Sequence, residues 1–277
     1  MVRRTALTCL YVGASVVTLA FLAFPIVAIF AHTSPGHLLD QLSNPVVRDA
    51  FVVSLKTSVI AQLLILVFGT PTAYLLATNR FPGHSLAITV VELPLVLPPA
   101  VAGVGLLVAF GHVGLLGSSL DVLGVSLPFT QSAVTVAVAY VASPLYIRQA
   151  IAAFEATDPA LSAASRTLGA SPARTFFRIV LPLARGGLIA GLALSFARGL
   201  GEFGATIMFA GSLQHVTQTL PLAIYAEFDK NFDATLAMSG VLVLISVVLL
   251  LGLRIGLTWQ ASPSKRSSFL FGPSASS

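Results

Sequence analysis

The sequence predicts an all-α integral membrane protein of six transmembrane helices, and three observations carry that prediction. Of 277 residues, 56% are hydrophobic and only 9% are charged, with a mean hydropathy of +0.93, far outside the usual range of soluble domains. Apolar runs of about twenty residues recur along the chain, the length an α-helix needs to cross a hydrocarbon core ~30 Å thick. Basic residues stand at the ends of these runs and not in clusters with aromatics, so the net charge of +5 points away from a nucleic-acid partner.

The first span covers about 6–31. Arg3 and Arg4 before it imitate a secretory signal, but the apolar run far exceeds the ~7–15 residues of a signal core, so it reads as a retained helix. The second covers about 51–77 and the third about 86–110, where Pro94, Pro98 and Pro99 remove backbone donors and predict a kink. The fourth covers 132–151, the fifth 183–210 and the sixth 234–259. Residues 1–260 are thus expected to form a single transmembrane domain, followed by a serine-rich, disordered tail over 261–277. With the N-terminus inside, eleven of the fifteen basic residues fall on the cytoplasmic side, the arrangement that positive-inside topology favours. Both termini are then cytoplasmic. The external connections, 32–50, 111–130 and 211–233, are too short to fold as a domain, so any module that captures substrate must be another polypeptide.

The connection over 154–182 is too polar to cross a bilayer. Asp158 can cap a helix that begins at Pro159, because its carboxylate accepts free amide hydrogens and proline has none to lose. Gly169 supplies the stop. Ser171 and Pro172 repeat the start signal, and a second short helix is expected from Ala173 until Pro182 ends it. Phe176, Phe177, Ile179 and Val180 make one side of that helix apolar, while Arg166, Arg174, Arg178 and Arg185 keep the segment basic. The outcome is helix, glycine elbow, helix, a cytoplasmic surface shaped to sit in a groove.

Three charged residues lie within the expected spans away from their ends: Glu92, Arg198 and Glu202. An ion at the bilayer centre costs about 2.5–3.5 kcal/mol on insertion scales, so such groups face a cavity or a partner. Arg198 and Glu202 are four apart, on one face of a helix, and can neutralise each other. Physics alone leaves open whether that pair is structural or lines a pathway. Glu92 has no basic partner in its own span and is placed near the cytoplasmic end.

These residues carry a family resemblance. Gly169, Ala170, Pro172, Phe176, Phe177, Ile179, Leu181 and Pro182 stand at the spacing of the "EAA" loop in permease subunits of binding-protein-dependent ABC importers. One departure matters: the glutamate that names the loop is replaced by Ala163, followed by Ala164 and Ser165. The run ARGLGEFGATIMFAG (197–211) resembles the signature of permeases in the molybdate, tungstate and sulfate branch. LPLAIY (220–225), LPLVLPP (93–99) and FPG (81–83) fit the same branch, and the similarity covers roughly 54–251.

The resemblance implies a type I importer permease fold in a prokaryotic inner or plasma membrane, crossed several times. It implies a homodimer with the pathway on its two-fold axis, an ABC ATPase subunit that carries the ATP and Mg, and an extracytoplasmic oxyanion-binding protein. The cargo implied is molybdate or tungstate, with a sulfate or thiosulfate permease as the alternative. Contact with the ATPase is assigned to Asp158, Ala163, Ala164, Gly169, Ala170, Ser171, Pro172, Phe176, Phe177, Arg178, Ile179 and Pro182. The coincidence of Gly199, Gly201 and Gly204 with charged residues turns the balance toward a pathway gate at Glu92, Pro98, Pro99, Arg198, Glu202, Phe203 and Gly204. Close backbone approach through small residues alone accounts for Gly186, Gly187 and Gly191.

An enzyme reading lacks parts. His32, His37, His84, His112 and His215 are scattered without metal-ligand spacing, no nucleophile stands beside a base, and no Walker-type glycine loop occurs. The chain is therefore expected to hold no cofactor or metal and to depend on a separate ATPase. The lone Cys9 excludes an intramolecular disulfide. A gradient-driven secondary transporter could recruit Glu92 or Glu202, but the sequence shows no inverted repeat, and a groove-docking loop fits that class poorly. A channel would need a selectivity-filter pattern, which is absent.

Overall fold

A computed structural model describes residues 2–32, 36, 40–41 and 43–260. The tail over 261–277, His37, and the side chains of Arg3, Arg4, Cys9 and Arg254 lie outside the described residues. Among those described there is no strand. The chain runs through α1 (Val2–Ala31), α2 (Pro45–Thr78), α3 (His84–Val96), α4 (Pro99–Phe110), α5 (Gly117–Val122) and α6 (Gln131–Glu155). It continues through α7 (Pro159–Thr167), α8 (Pro172–Thr175), a π-helical turn (Phe176–Val180) and α9 (Leu181–Leu200). The last elements are α10 (Gly204–Ala210), α11 (Leu220–Glu227) and α12 (Phe232–Gln260).

Among the described residues, five stretches are long and apolar enough to cross a membrane: Leu10–Ala31, Pro45–Thr78, Gln131–Glu155, Pro172–Leu200 and Phe232–Gly252. The sixth is a broken pair. Where the sequence predicts one kinked span over 86–110, α3 and α4 meet at 116°. Pro98 and Pro99 lack amide hydrogens, and Leu97 takes an extended conformation (φ −66°, ψ 134°), as residues before proline tend to do.

Two more boundaries differ from expectation. The fifth span does not run over 183–210: α9 stops at Leu200, and α10 starts afresh at Gly204. Nor does Pro182 end the second loop helix. It sits in the first turn of α9, and the chain is helical from Pro172 to Leu200. A proline ring collides with the carbonyl four residues back in a regular helix. Here the preceding turn is widened, with the Leu181 amide bonding to the Phe176 carbonyl five residues back, which makes room for the ring.

The chain divides into two compact units, with boundaries inside α2 and α12. One gathers the chain up to Ser54 with Ser212–Ile245. Its core is Val47, Ala50, Leu220, Ala223, Ala234 and Met238, and Ser54 Oγ accepts the Leu220 amide at 2.7 Å, capping the start of α11. The other comprises Leu55–Gly211 and the chain from Ser246, and its organising element is α6. One face of α6 packs through Val134, Val138 and Val141 against Leu106 and Phe209. Farther along, Tyr146, Ala150 and Phe154 pack with Ile65, Val180, Ala184 and Leu188. Backbones come close where side chains are missing, the packing expected between membrane helices. A Cβ on Gly187 would stand 2.5 Å from Ala153 Cβ, on Gly191 3.0 Å from Gln149 Cβ, and on Gly199 2.8 Å from Val138 Cγ1. Polar side chains also cross this unit, with Gln62 and Ser195 bonded to each other and Thr70 to Tyr146.

The pairing of α4 with α10 depends on Gly103, whose added Cβ would meet the Ala205 carbonyl oxygen at 2.6 Å and Met208 Cβ at 2.7 Å. Gly103→Ala should destabilise the detergent-purified protein by about 1–3 kcal/mol, the usual cost of overpacking. Gly105, with nothing within 4 Å of a Cβ, should accept alanine without loss. Thermal unfolding of the two variants checks the contrast.

Candidate functional site

Local signals build the elbow. Asp158 Oδ1 accepts the Ala160 amide at 2.9 Å, and Pro159 opens α7. Gly169 adopts φ +83°, a region costly for residues with a Cβ. There the Gly169 amide bonds to the Arg166 carbonyl and the Ala170 amide to the Ser165 carbonyl, closing the end of α7. Ser171 Oγ accepts the Arg174 amide at 3.3 Å. The two arms are tied directly, since Ser165 and Thr175 are buried and their hydroxyls lie 3.0 Å apart.

Aromatic packing fixes the elbow to the membrane helices. The Phe176 ring lies 4.8 Å from that of Tyr74 on α2 and 6.2 Å from Phe154 on α6, and Tyr74 and Phe154 meet edge-on at 5.4 Å. The apolar side expected of the second arm therefore divides. Phe176 and Ile179 are half-buried and Val180 is buried, whereas Phe177 is exposed. Ala163, Ala164, Gly169, Ser171, Pro172, Arg178 and Pro182 are also exposed, and Ala170 is half-buried. Beside the elbow lies an open cavity of about 1090 Å³, whose walls include Tyr74, Arg80, Glu155, Ala163 and Arg166. Ala163, standing where the loop's glutamate is expected, opens onto this space.

A second cluster forms where the two breaks meet. Glu202 is almost wholly buried, with a relative exposure of 2%. Its Oε1 accepts the Ala205 amide at 2.7 Å and its Oε2 lies 2.9 Å from Arg198 Nη1. Because α9 ends at Leu200, the pair does not share a helical face, as the four-residue spacing suggests. It spans the break and caps the following turn. Gly204 abuts the other break, since a Cβ there would come within 2.7 Å of Pro99 Cβ. On that side the Pro98 carbonyl accepts the Val101 and Ala102 amides. Arg198, Glu202, Gly204, Pro98 and Pro99 are thus brought to one place, with Phe203, half-buried, between Glu202 and Gly204.

Glu92 has a separate partner. Its Oε1 is 3.3 Å from Arg148 Nε on α6, and a further pair joins Arg80 to Glu155 at 3.7 Å. Reading the sequence misses Arg148, Arg80 and Glu155 as site residues. The available signal is opposite charges in different segments near the elbow side of the chain, which become pairs only when the neighbouring segments are known. Among the described residues, no three His, Cys, Asp or Glu side chains come together in a way that could hold a metal.

Interrupted helical spans with an ordered elbow between two of them define the class: a multi-span helical membrane protein. Residues 69–259 match the family described as "Binding-protein-dependent transport system inner membrane component", and the chain belongs to that family. Among curated relatives, the molybdenum transport system permease protein ModB of Mycobacterium tuberculosis is 38% identical over 234 residues, covering 84% of this chain and 89% of that protein. ModB of Escherichia coli K12 is 45% identical over 178 residues, 64% of this chain and 78% of that protein. A chain of the solved bacterial alginate ABC transporter, in complex with its alginate-bound periplasmic protein, superposes with a TM-score of 0.69. It covers 91% of this chain and 93% of its own, at 16% identity, a likeness of fold alone. The chain is a multi-pass inner membrane protein with the fold of an ABC importer permease.

Glu202→Ala removes both the acceptor for the Ala205 amide and the counter-ion of Arg198. Stability should fall by roughly 2–4 kcal/mol, as when one partner of a largely buried charged pair is deleted. Glu202→Gln keeps a side-chain oxygen for the amide and should lose distinctly less. Thermal unfolding of both variants separates the capping role from the charge.

Proposed function

We propose that this chain is the membrane-spanning subunit of an ATP-driven importer of molybdate or tungstate, forming the translocation pathway with a second copy of itself. The observation that carries the reading is the 38% identity to a molybdenum permease along 89% of that permease's length. In this reading the termini and the elbow face the cytoplasm. Two ATPase subunits, which hold the ATP and Mg, dock below, and an oxyanion-binding protein docks above. The chain itself hydrolyses nothing.

The geometry suits a lever. From Pro172 to Leu200 the chain is one helical stretch of 29 residues, about 43 Å long at 1.5 Å per residue. One end carries the elbow and the other carries Arg198 and the capped break. Leu168 and Phe177 are 88% and 64% exposed at the elbow, and supply the apolar surface that a groove on the ATPase would cover. When the ATPase dimer closes, the two elbows are drawn together and the breaks at Arg198–Phe203 part, admitting the anion. Hydrolysis reverses the motion.

The test is ATPase activity of this chain reconstituted with its nucleotide-binding subunit, with and without the binding protein loaded with molybdate, tungstate or sulfate. Stimulation by the molybdate- or tungstate-loaded protein is expected. Stimulation by the sulfate-loaded protein alone moves the cargo to sulfate, and no stimulation by any rejects the importer. Gly169→Val, placed at φ +83°, adds about 1–2 kcal/mol of local strain. It should leave hydrolysis running while uptake is lost, and unchanged uptake would reject the lever.

A further inference from the structure

Three arginine–glutamate pairs lie within Leu55–Gly211, and they share a pattern. Arg80–Glu155 is separated by 3.7 Å, with side-chain exposures of 72% and 48%. For Arg148–Glu92 the values are 3.3 Å, 60% and 39%, and for Arg198–Glu202 they are 2.9 Å, 34% and 1%. In every pair the arginine is the more exposed partner. From the first pair to the third, both separation and exposure decrease.

The pairs are also stacked. Glu155 and Arg148 are seven residues apart on α6, nearly two full turns, so they share a face and differ in height by about 10 Å. Gly199, next to Arg198, packs against Val138 and Ala142 of the same helix. Those contacts lie six to ten residues beyond Arg148, a further rise of about 9–15 Å. The three pairs therefore climb alongside α6 from the elbow to the capped break, in steps of about 10 Å.

Arg148, seven residues before the elbow end of α6, is more than half exposed. A guanidinium near the end of a span reaches water in preference to acyl chains, so this position meets water. Wet positions with an arginine in front and a carboxylate behind attract anions without gripping them. A carboxylate 2.9–3.7 Å from each guanidinium cancels most of its charge at a distance, yet the exposed N–H groups still offer hydrogen bonds to a ligand that comes close.

We propose that Arg198, Arg148 and Arg80 are successive weak contact sites for the transported oxyanion between the capped break and the elbow side, and that the glutamate behind each keeps the anion's residence short. The proposal rests on the oxyanion-importer reading and adds Arg148 and Arg80 to its pathway.

The deciding experiment is molybdate uptake into proteoliposomes by the complete complex, with thermal unfolding of each purified variant in parallel. Arg148→Gln should lower uptake about tenfold, the loss of one charge-assisted contact, and Arg148→Lys should retain most of it. In the double exchange Glu92→Arg with Arg148→Glu, the ion pair is rebuilt with the carboxylate in the more exposed place. Thermal stability should recover while uptake stays low. Wild-type uptake in the double exchange, or in Arg148→Gln, would make the pair purely structural and overturn the ladder. Absence of uptake by the wild-type complex would remove the importer reading and the ladder with it. If Arg148→Gln fails to insert, the lysine variant and the double exchange still decide the question.

Discussion

Inside a bilayer a backbone amide or carbonyl that leaves a helix finds no water, so every interruption has to be satisfied by the protein itself. Three interruptions among the described residues are each built around that constraint. At the break between α3 and α4, Pro98 and Pro99 have no amide hydrogen to lose. The Leu97 amide still reaches the Leu93 carbonyl, and the Pro98 carbonyl takes two amides from the next turn. Between α9 and α10 there is no proline, and a carboxylate does the work, with Glu202 accepting the Ala205 amide. Burying that carboxylate requires a counter-charge, which Arg198 supplies. At Pro182 the helix is not broken but widened by one residue. The first two interruptions pack on each other through Gly204 and Pro99, and Gly103 and Ala205 bring α4 and α10 together just beyond. The two breaks are therefore capped and coupled to each other.

Motion between the elbow and the breaks has a physical route in this packing. Where α9 runs along α6, Gly187, Gly191 and Gly199 put backbone against Ala153, Gln149 and Val138, with no α9 side chain wedged between the helices at those positions. Contacts of this kind resist sliding less than interdigitated side chains do, which favours shear of one helix past the other. The elbow end is held in the opposite way. Phe176 is clasped by Tyr74 and Phe154, and the Ser165–Thr175 bond keeps the two arms at a fixed angle. A stiff handle on a helix with a smooth contact face is what the proposed lever requires.

The parts of this architecture that were legible in the sequence are those specified locally. Asp158–Pro159, Gly169 and Ser171–Pro172 each act within one turn, and the elbow adopts the geometry that these signals dictate. Apolar runs announce spans because their length is set by the bilayer and not by neighbours. The breaks were less legible, because hydropathy over a twenty-residue run is insensitive to one missing hydrogen bond. Three prolines gave warning of the first, as a kink and not as a 116° bend. In the second, GEF at 201–203 reads as a continuing helix unless Glu202 is recognised as a cap for Ala205. Pro182 reads as a stop because the widened turn that tolerates it leaves no mark in composition. The Arg148–Glu92 and Arg80–Glu155 pairs depend on which helices are neighbours, which only the three-dimensional arrangement reveals.

Ala163 shows how shape and recognition separate in the elbow. The angle between the arms is fixed by the Asp158 and Ser171 caps, by Gly169 and by the Ser165–Thr175 bond, and none of these involves the side chain at 163. Replacing a glutamate with alanine there leaves the handle intact. What changes is the wall of the neighbouring cavity, which a methyl group now lines together with Arg166, Arg80 and Glu155. That wall becomes more basic by one missing carboxylate. A charge lost on one side of a docking surface is compensated most directly by a carboxylate on the other, because like charges brought together there would cost several kcal/mol. The proposed ATPase partner should therefore differ from partners of glutamate-bearing elbows at the surface that faces residue 163, while the lever it grips remains the same.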